Sequence, residues 1–183
     1  MLLTEYRPFH VDRQLAEATL KENRPLTVKG IIQRAEAKNQ NGRIYPKEIL
    51  MREIEKYIDG PVKEKRALGE LDHPESSVIN LQNVSHNVVK IRMTGDDVYG
   101  EVEILPTPAG KILQALFASG ITVGISSRGM GSVKEGAGGT VEVQDDFELL
   151  CFDFVSTPST HGAFMRPVGR ALQENKITQP EYK

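Results

Sequence analysis

Two apolar periods alternate along this chain. "LTVKGIIQRAEA", from Leu26, predicts a strand that runs into the polar loop "KNQNGRIYP". Pro46 then opens a helical pattern in which Ile49, Leu50, Ile54, Tyr57 and Ile58 share one face, and Gly60 ends it. "VSHNVVKIRM" and "DVYGEVEIL" read as strands on either side of "TGDD", which predicts a hairpin. "TPAGKILQALFASG" predicts the clearest helix. Thr107 can cap it, Pro108 suits its first turn, Gly120 suits its exit, and Ile112, Leu113, Leu116 and Phe117 form its apolar face. Two extended segments follow, "ITVGISSRGMGSVKE" and "TVEVQDDFELLCFDFVS", joined by the flexible tip "GAGG".

This order of strands, helix, hairpin, helix and strands predicts an α+β fold with a mainly antiparallel sheet or barrel flanked by helices. It lacks the βαβ alternation of a doubly wound sheet. Residues 1–25 are charged and weakly patterned, and are expected to form an extension with a helical stretch around Val11–Asn23. Residues 26–168 are expected to form the main domain, and 169–183 a polar tail.

Composition narrows the function. The chain has 183 residues, enough to bury a core, and a net charge of −2, so no overall basic field recommends nucleic acid as a partner. No apolar run approaches the roughly 18 residues needed to span a membrane. The segment "MLLTEYRPFHVDR" lacks the pattern of a secretory signal. Cys151 is the single cysteine, which rules out an intrachain disulfide and points to a reducing compartment.

The stretch "ALGELDHPESS" raises the question of chemistry. Glu70, Asp72, His73, Glu75 and His86 offer metal-ligand atoms, but there is no HExxH spacing and a lone cysteine cannot build the usual structural zinc sites. No metal and no cofactor are expected. "GISSRGMGS" is rich in glycine but lacks the lysine and the following helix of a phosphate-binding loop. Nucleophilic hydrolysis is the third option. A serine hydroxyl needs a base, and the base needs an orienting group. His73, Ser126 with Ser127, and Asp153 supply those residue types. Asp153 lies inside "LLCFDFVS", where a buried, unpaired carboxylate would be costly, although strand alternation also allows it to point outward. The chain order His, Ser, Asp matches none of the familiar triad orders, and no GxSxG elbow is present. His86 and His10 read as ordinary strand and surface histidines.

Taken together, "ALGELDHP", "GISSRGMGS", "DFVSTPST" and "NQNGRIYPKEIL" resemble the prohead core protein proteases of large tailed bacteriophages. The similarity runs from about Leu26 to Pro167, with the motifs in the family's order. It implies a fold like the herpesvirus capsid-maturation protease, a β-barrel flanked by helices. It also implies a serine endopeptidase working inside an assembling capsid in the host cytoplasm. The family's histidine falls on His73 and its nucleophile on Ser126. Its third member falls on Asp153, with His161 as second choice because the herpesvirus enzymes use a second histidine. Backbone around Ser127, Arg128 and Gly129 is the candidate oxyanion site.

The resemblance further implies cleavage after glutamate, with leucine or isoleucine two residues earlier. Tripeptides of that form near the ends make Glu5, Glu22 and Glu174 candidate self-cleavage points, and both termini candidates for processing. Arg128, Arg166, Lys63, Lys65 and Arg66 are candidate partners for the substrate glutamate. Scaffold, core and major capsid proteins are the implied substrates, and a homo-oligomer is compatible. The alternative reading is a non-catalytic prohead scaffold or interaction protein that keeps the fold.

Overall fold

The computed structural model describes residues 1–72 and 74–156. Its strands are β1 (Leu2–Phe9), β2 (Leu26–Arg34), β3 (Arg43–Ile44), β4 (Leu68–Glu70), β5 (Val84–Thr94), β6 (Asp97–Ile104), β7 (Val123–Met130), β8 (Val133–Glu135), β9 (Val141–Val143) and β10 (Glu148–Val155). Its helices are α1 (Arg13–Lys21), α2 (Lys47–Tyr57) and α3 (Pro108–Ala118).

The hairpin and both central helices form where the pattern predicts them. Thr94 pairs with Asp97 across a two-residue turn that Gly95 enters with φ of 61°. Thr107 accepts a hydrogen bond from the Gly110 amide at 3.0 Å, capping α3 behind Pro108. The end of α2 differs from expectation. Gly60 does not stop the chain; Ile58–Val62 widens into a π turn, with Lys63 N–H donating to the Ile58 carbonyl at 3.0 Å. Pro61, which has no N–H to offer, is accommodated by this wider turn.

The two long extended segments each break in two. Gly131 and Ser132 end β7, and the Ser132 amide and hydroxyl both donate to Asp146 Oδ1, at 2.9 and 3.0 Å. This tie fixes the turn that separates β9 from β10. Phe147 then tucks edge-on against Tyr45, with ring centroids 5.2 Å apart.

Within the stretch expected to be an extension, Leu2–Phe9 pairs antiparallel with β7 along its whole length, and α1 packs near α3. Leu3, Phe9 and Ala16 are core residues, so burial of these scattered apolar side chains holds the N-terminal segment in the fold.

Three sheets result, with strand orders β1-β7-β10, β2-β6-β5-β4 and β3-β9-β8. The α+β class and the antiparallel character hold. Among the described residues the ladders do not close into a barrel. At one seam β10 meets β4 through a single parallel bridge, Leu71 with Phe154, and the Asp72 amide donates to the Phe154 carbonyl at 2.7 Å. β1 and β2 pack together at the other seam but belong to different ladders. The core lies between these sheets. Phe154 is surrounded edge-on by Phe9, His86 and Phe117.

Candidate active site

Alternation along β7 and β10 decides which side chains meet. Ser126 pairs directly with Asp153, so both project from the same face of the sheet, while Phe152 and Phe154 project from the other. Arg128, two residues beyond Ser126, shares its face. Its guanidinium is fully buried and lies between two carboxylates. Nε donates to Asp153 Oδ2 at 2.9 Å, and Nη2 donates to Asp153 Oδ1 at 2.9 Å and to Glu70 Oε2 at 3.1 Å. Nη1 donates to the Ser76 carbonyl at 2.9 Å. Burial opposes this cation, but the hydrogen bonds and charges of Asp153 and Glu70 prevail and hold its pKa above the ordinary arginine value. Asp153 also accepts the Glu70 amide at 3.0 Å. A carboxylate that would be costly if buried alone is thus compensated by charge and by a backbone donor.

Ser126 is 1 % exposed, and its Oγ has no hydrogen-bond partner among the described residues. Ser127 faces the opposite side, where Gln33 Nε2 donates to its Oγ at 2.8 Å. The two adjacent serines therefore have different surroundings. One hydroxyl is held by an amide, whereas the other lies next to a charged cluster.

A family model described as prohead core protein serine protease matches residues 11–175. The chain belongs to that family. This protease is 34 % identical over 145 residues to the prohead core protein protease of Enterobacteria phage T4, covering 78 % of this chain and 68 % of that one. It also matches the solved structure of the bacteriophage T4 capsid assembly protease. That match has a TM-score of 0.76 and 27 % identity, and covers 86 % of this chain and 98 % of the other.

Of the residues read from the protease's sequence as catalytic, Ser126 and Asp153 come together. His73, like His161, Arg166 and Glu174, lies outside the described residues. Its neighbour Asp72 is exposed, takes φ of 64°, and is tied by its amide to Phe154, the residue after Asp153. The amides of Ser127, Arg128 and Gly129 lie in a strand paired on both sides, and the Arg128 side chain holds the carboxylates. Lys63, Lys65 and Arg66 are exposed ahead of β4, and Arg66 pairs with Glu64.

The candidate cleavage points differ in setting. Glu22 is exposed at the end of α1. Glu5 is 2 % exposed within β1, so it is not the loose end expected of it. Its carboxylate is held by Arg43 Nη1 at 2.6 Å and Asn41 Nδ2 at 2.9 Å. Three contributors were not evident in the sequence as partners. Glu70 completes the Arg128 cluster, and Arg43 with Asn41 receives Glu5. The Asn-x-Asn-x-Arg spacing at Asn39, Asn41 and Arg43 was a visible signal, but nothing in it indicated a carboxylate.

Glu70 and His86, two of the candidate metal ligands, have other partners. Glu70 bonds Arg128, and no group of three potential ligands assembles among the described residues. His86 joins the sheets. Its Nε2 donates to the Phe152 carbonyl at 2.7 Å, so its Nδ1 accepts from Ser85 Oγ, also at 2.7 Å. Burial lowers its pKa to about 4, against the Phe152 bond that raises it, and the ring is neutral at pH 7. The unfolded chain therefore binds a proton there that the folded chain refuses. His86 contributes full stability above about pH 6.5 and loses it as pH falls toward 4. Urea unfolding between these pH values should show a loss of about 3 kcal/mol from this group. A His86→Gln variant should show a flatter pH dependence across that window.

Proposed function

We propose that this protease is a serine endopeptidase acting in prohead maturation, with Ser126 as nucleophile, His73 as general base and Asp153 as its orienting acid. The observation that carries the proposal is the pairing of Ser126 with Asp153 on one sheet face, with Asp72 fastened beside that pair. Family membership supplies the reaction class.

The electrostatics favour this chemistry. The carboxylates of Asp153 and Glu70 both face the Arg128 guanidinium, and Asp153 lies on the face that carries Ser126. An imidazole that accepts the Ser126 proton becomes a cation, and a neighbouring carboxylate stabilises it. Asp153 Oδ1 takes Arg128 Nη2, the Glu70 amide and the Cys151 thiol, whereas Oδ2 takes Arg128 Nε, so Oδ2 is the oxygen that would orient a histidine. His73 would take the serine proton during attack on the peptide carbonyl and return it to the leaving amine. Arg128 is better placed to hold Asp153 than to meet an oxyanion. The backbone of Ser127, Arg128 and Gly129 in β7 stays the candidate oxyanion donor in this reading.

The substrates we infer are prohead scaffold, core and capsid proteins, cut after glutamate with leucine or isoleucine two residues before it. Self-cleavage belongs to the same reading, with Glu22 the most accessible described site. His161 remains the second choice for the third member. A herpesvirus-protease-like arrangement belongs to the same reading.

Incubation of purified protease with prohead core and capsid proteins, followed by mass spectrometry of the new termini, tests this function. Cuts after Leu-x-Glu and Ile-x-Glu are expected, together with labelling of Ser126 by a serine-reactive phosphonate. A protein that is never labelled and produces no new termini would be a scaffold component, not an enzyme.

A further inference from the structure

Residues 71–83 connect β4 to β5, and His73 belongs to this connection. Apart from the short 3₁₀ turn Leu81–Asn83, its described residues are irregular. The two ends are closed on each other. The Leu71 amide donates to the Asn83 carbonyl at 3.2 Å, and Asn83 Nδ2 donates to the Leu71 carbonyl at 2.6 Å. Between those ends, apolar packing holds little. Val78 is 70 % exposed and Leu81 72 %, so neither is anchored in the core.

Polar ties hold the loop instead, and they converge on Glu70 and its partner Arg128. Glu70 is buried at the end of β4. Its Oε2 accepts the Asn80 amide at 3.0 Å and Arg128 Nη2 at 3.1 Å, and its Oε1 accepts Asn83 Nδ2 at 3.3 Å. A carboxylate this deeply buried is costly without partners, and two of the three it has belong to the loop. Its own amide donates to Asp153 Oδ1. One residue thus joins the acid of the proposed triad to the loop that contains the proposed base. The residues around His73 are tied as well. The Asp72 amide is bonded to Phe154 in β10, and the Ser76 carbonyl to Arg128 in β7. In sequence, His73 lies between an anchor on each of the two strands that carry Asp153 and Ser126.

We propose that Glu70 is a positioning residue for the general base, fixing the 71–83 loop to the strands of Ser126 and Asp153 through Asn80, Asn83 and Arg128. The inference rests on the His73, Ser126 and Asp153 assignment made above. Glu70 does not meet the substrate in this role. It sets where the loop lies, and a displacement of about 1 Å is enough to cost a catalytic group about 100-fold in rate.

Hydrolysis of a Leu-x-Glu peptide by the full-length protease, measured per folded molecule, tests this. Glu70→Ala should lower kcat about 100-fold with KM little changed, and Glu70→Gln, which keeps an acceptor for the Asn80 amide, should recover part of that loss. Asn83→Ala changes no charge and leaves the Arg128–Asp153 pair intact, so a fall of about 10-fold in its kcat reports loop position alone. The pH profile separates positioning from stability. The parent's kcat/KM should level off above the pKa of its histidine base. With the base displaced, the residual rate of Glu70→Ala should keep rising with hydroxide between about pH 6 and 9, as that of His73→Ala should. A parental kcat per folded molecule with a parental profile overturns the inference and makes Glu70 purely structural. If Glu70→Ala fails to fold, Asn83→Ala decides, and an unchanged kcat there overturns the inference equally. A His73→Ala protein with the parental rate would instead remove the base assignment itself, and with it anything for Glu70 to position.

Discussion

Ser126→Ala is expected to reduce peptide hydrolysis by on the order of 10⁴-fold or more and to leave the fold intact. The rate should fall because Ser126 is the proposed nucleophile, and removing the nucleophile of a triad leaves only binding and electrostatic assistance. Stability should hold because Ser126 Oγ has no hydrogen-bond partner among the described residues, so alanine forfeits none there. The neighbouring serine supplies the contrast. Ser127→Ala removes the acceptor for Gln33 Nε2 and leaves a buried amide unsatisfied, at a cost of about 1–3 kcal/mol. Its activity per folded molecule should remain near that of the parent. Initial rates on a Leu-x-Glu peptide, paired with thermal unfolding of both variants, check the assignment. An active Ser126→Ala protein, or an inactive but folded Ser127→Ala protein, would reverse the roles of the two serines.

Local signals in the sequence identified much of this arrangement. Thr107, Pro108 and Gly120 bound α3 through capping chemistry that acts within one turn, and "TGDD" marks a hairpin whose register follows from its turn. Residues 2–9 were harder to read. Arg7 and Pro8 break the apolar alternation, and the strand exists because β7 offers it an edge, a contact more than a hundred residues away in sequence. Sequence separation also hides the Arg128 cluster, whose carboxylate partners lie 25 and 58 residues away. Arg128 is an ordinary arginine in the sequence, and only the register of β7 with β10 and the approach of β4 turn it into the counter-charge for Asp153 and Glu70. The sequence raised the buried-carboxylate problem at Asp153 but gave no indication of how it was solved. Close packing is similarly silent. Gly69 looks like a loop glycine, yet a Cβ there would lie 1.9 Å from the Phe152 carbonyl, so it is what lets β4 approach β10.

Arg128→Met is expected to destabilise the folded protein by about 3–5 kcal/mol at pH 7, a large share of the roughly 5–15 kcal/mol typical of a domain. Methionine preserves much of the side chain's length, so the dominant loss is charge. Asp153 and Glu70 would remain buried with no guanidinium between them, while the Ser76 carbonyl would lose its donor. Two adjacent carboxylates in that position repel each other, and protonation relieves the repulsion. The variant should therefore recover stability as pH is lowered, although the parent's His86 contribution moves the other way. Urea unfolding from pH 7 to pH 5 separates the two effects, and the double variant Arg128→Met/Asp153→Asn should regain part of the loss by removing one of the two charges. Arg128→Lys is not a conservative control, because an ammonium cannot reproduce the fork that meets both Asp153 oxygens. A loss below about 1 kcal/mol for Arg128→Met would mean that the carboxylates are compensated from elsewhere. A full loss, with activity falling faster than the folded fraction, would place Arg128 as the residue that positions Asp153. In that case the orientation of the proposed triad acid depends on a cation that never meets the substrate.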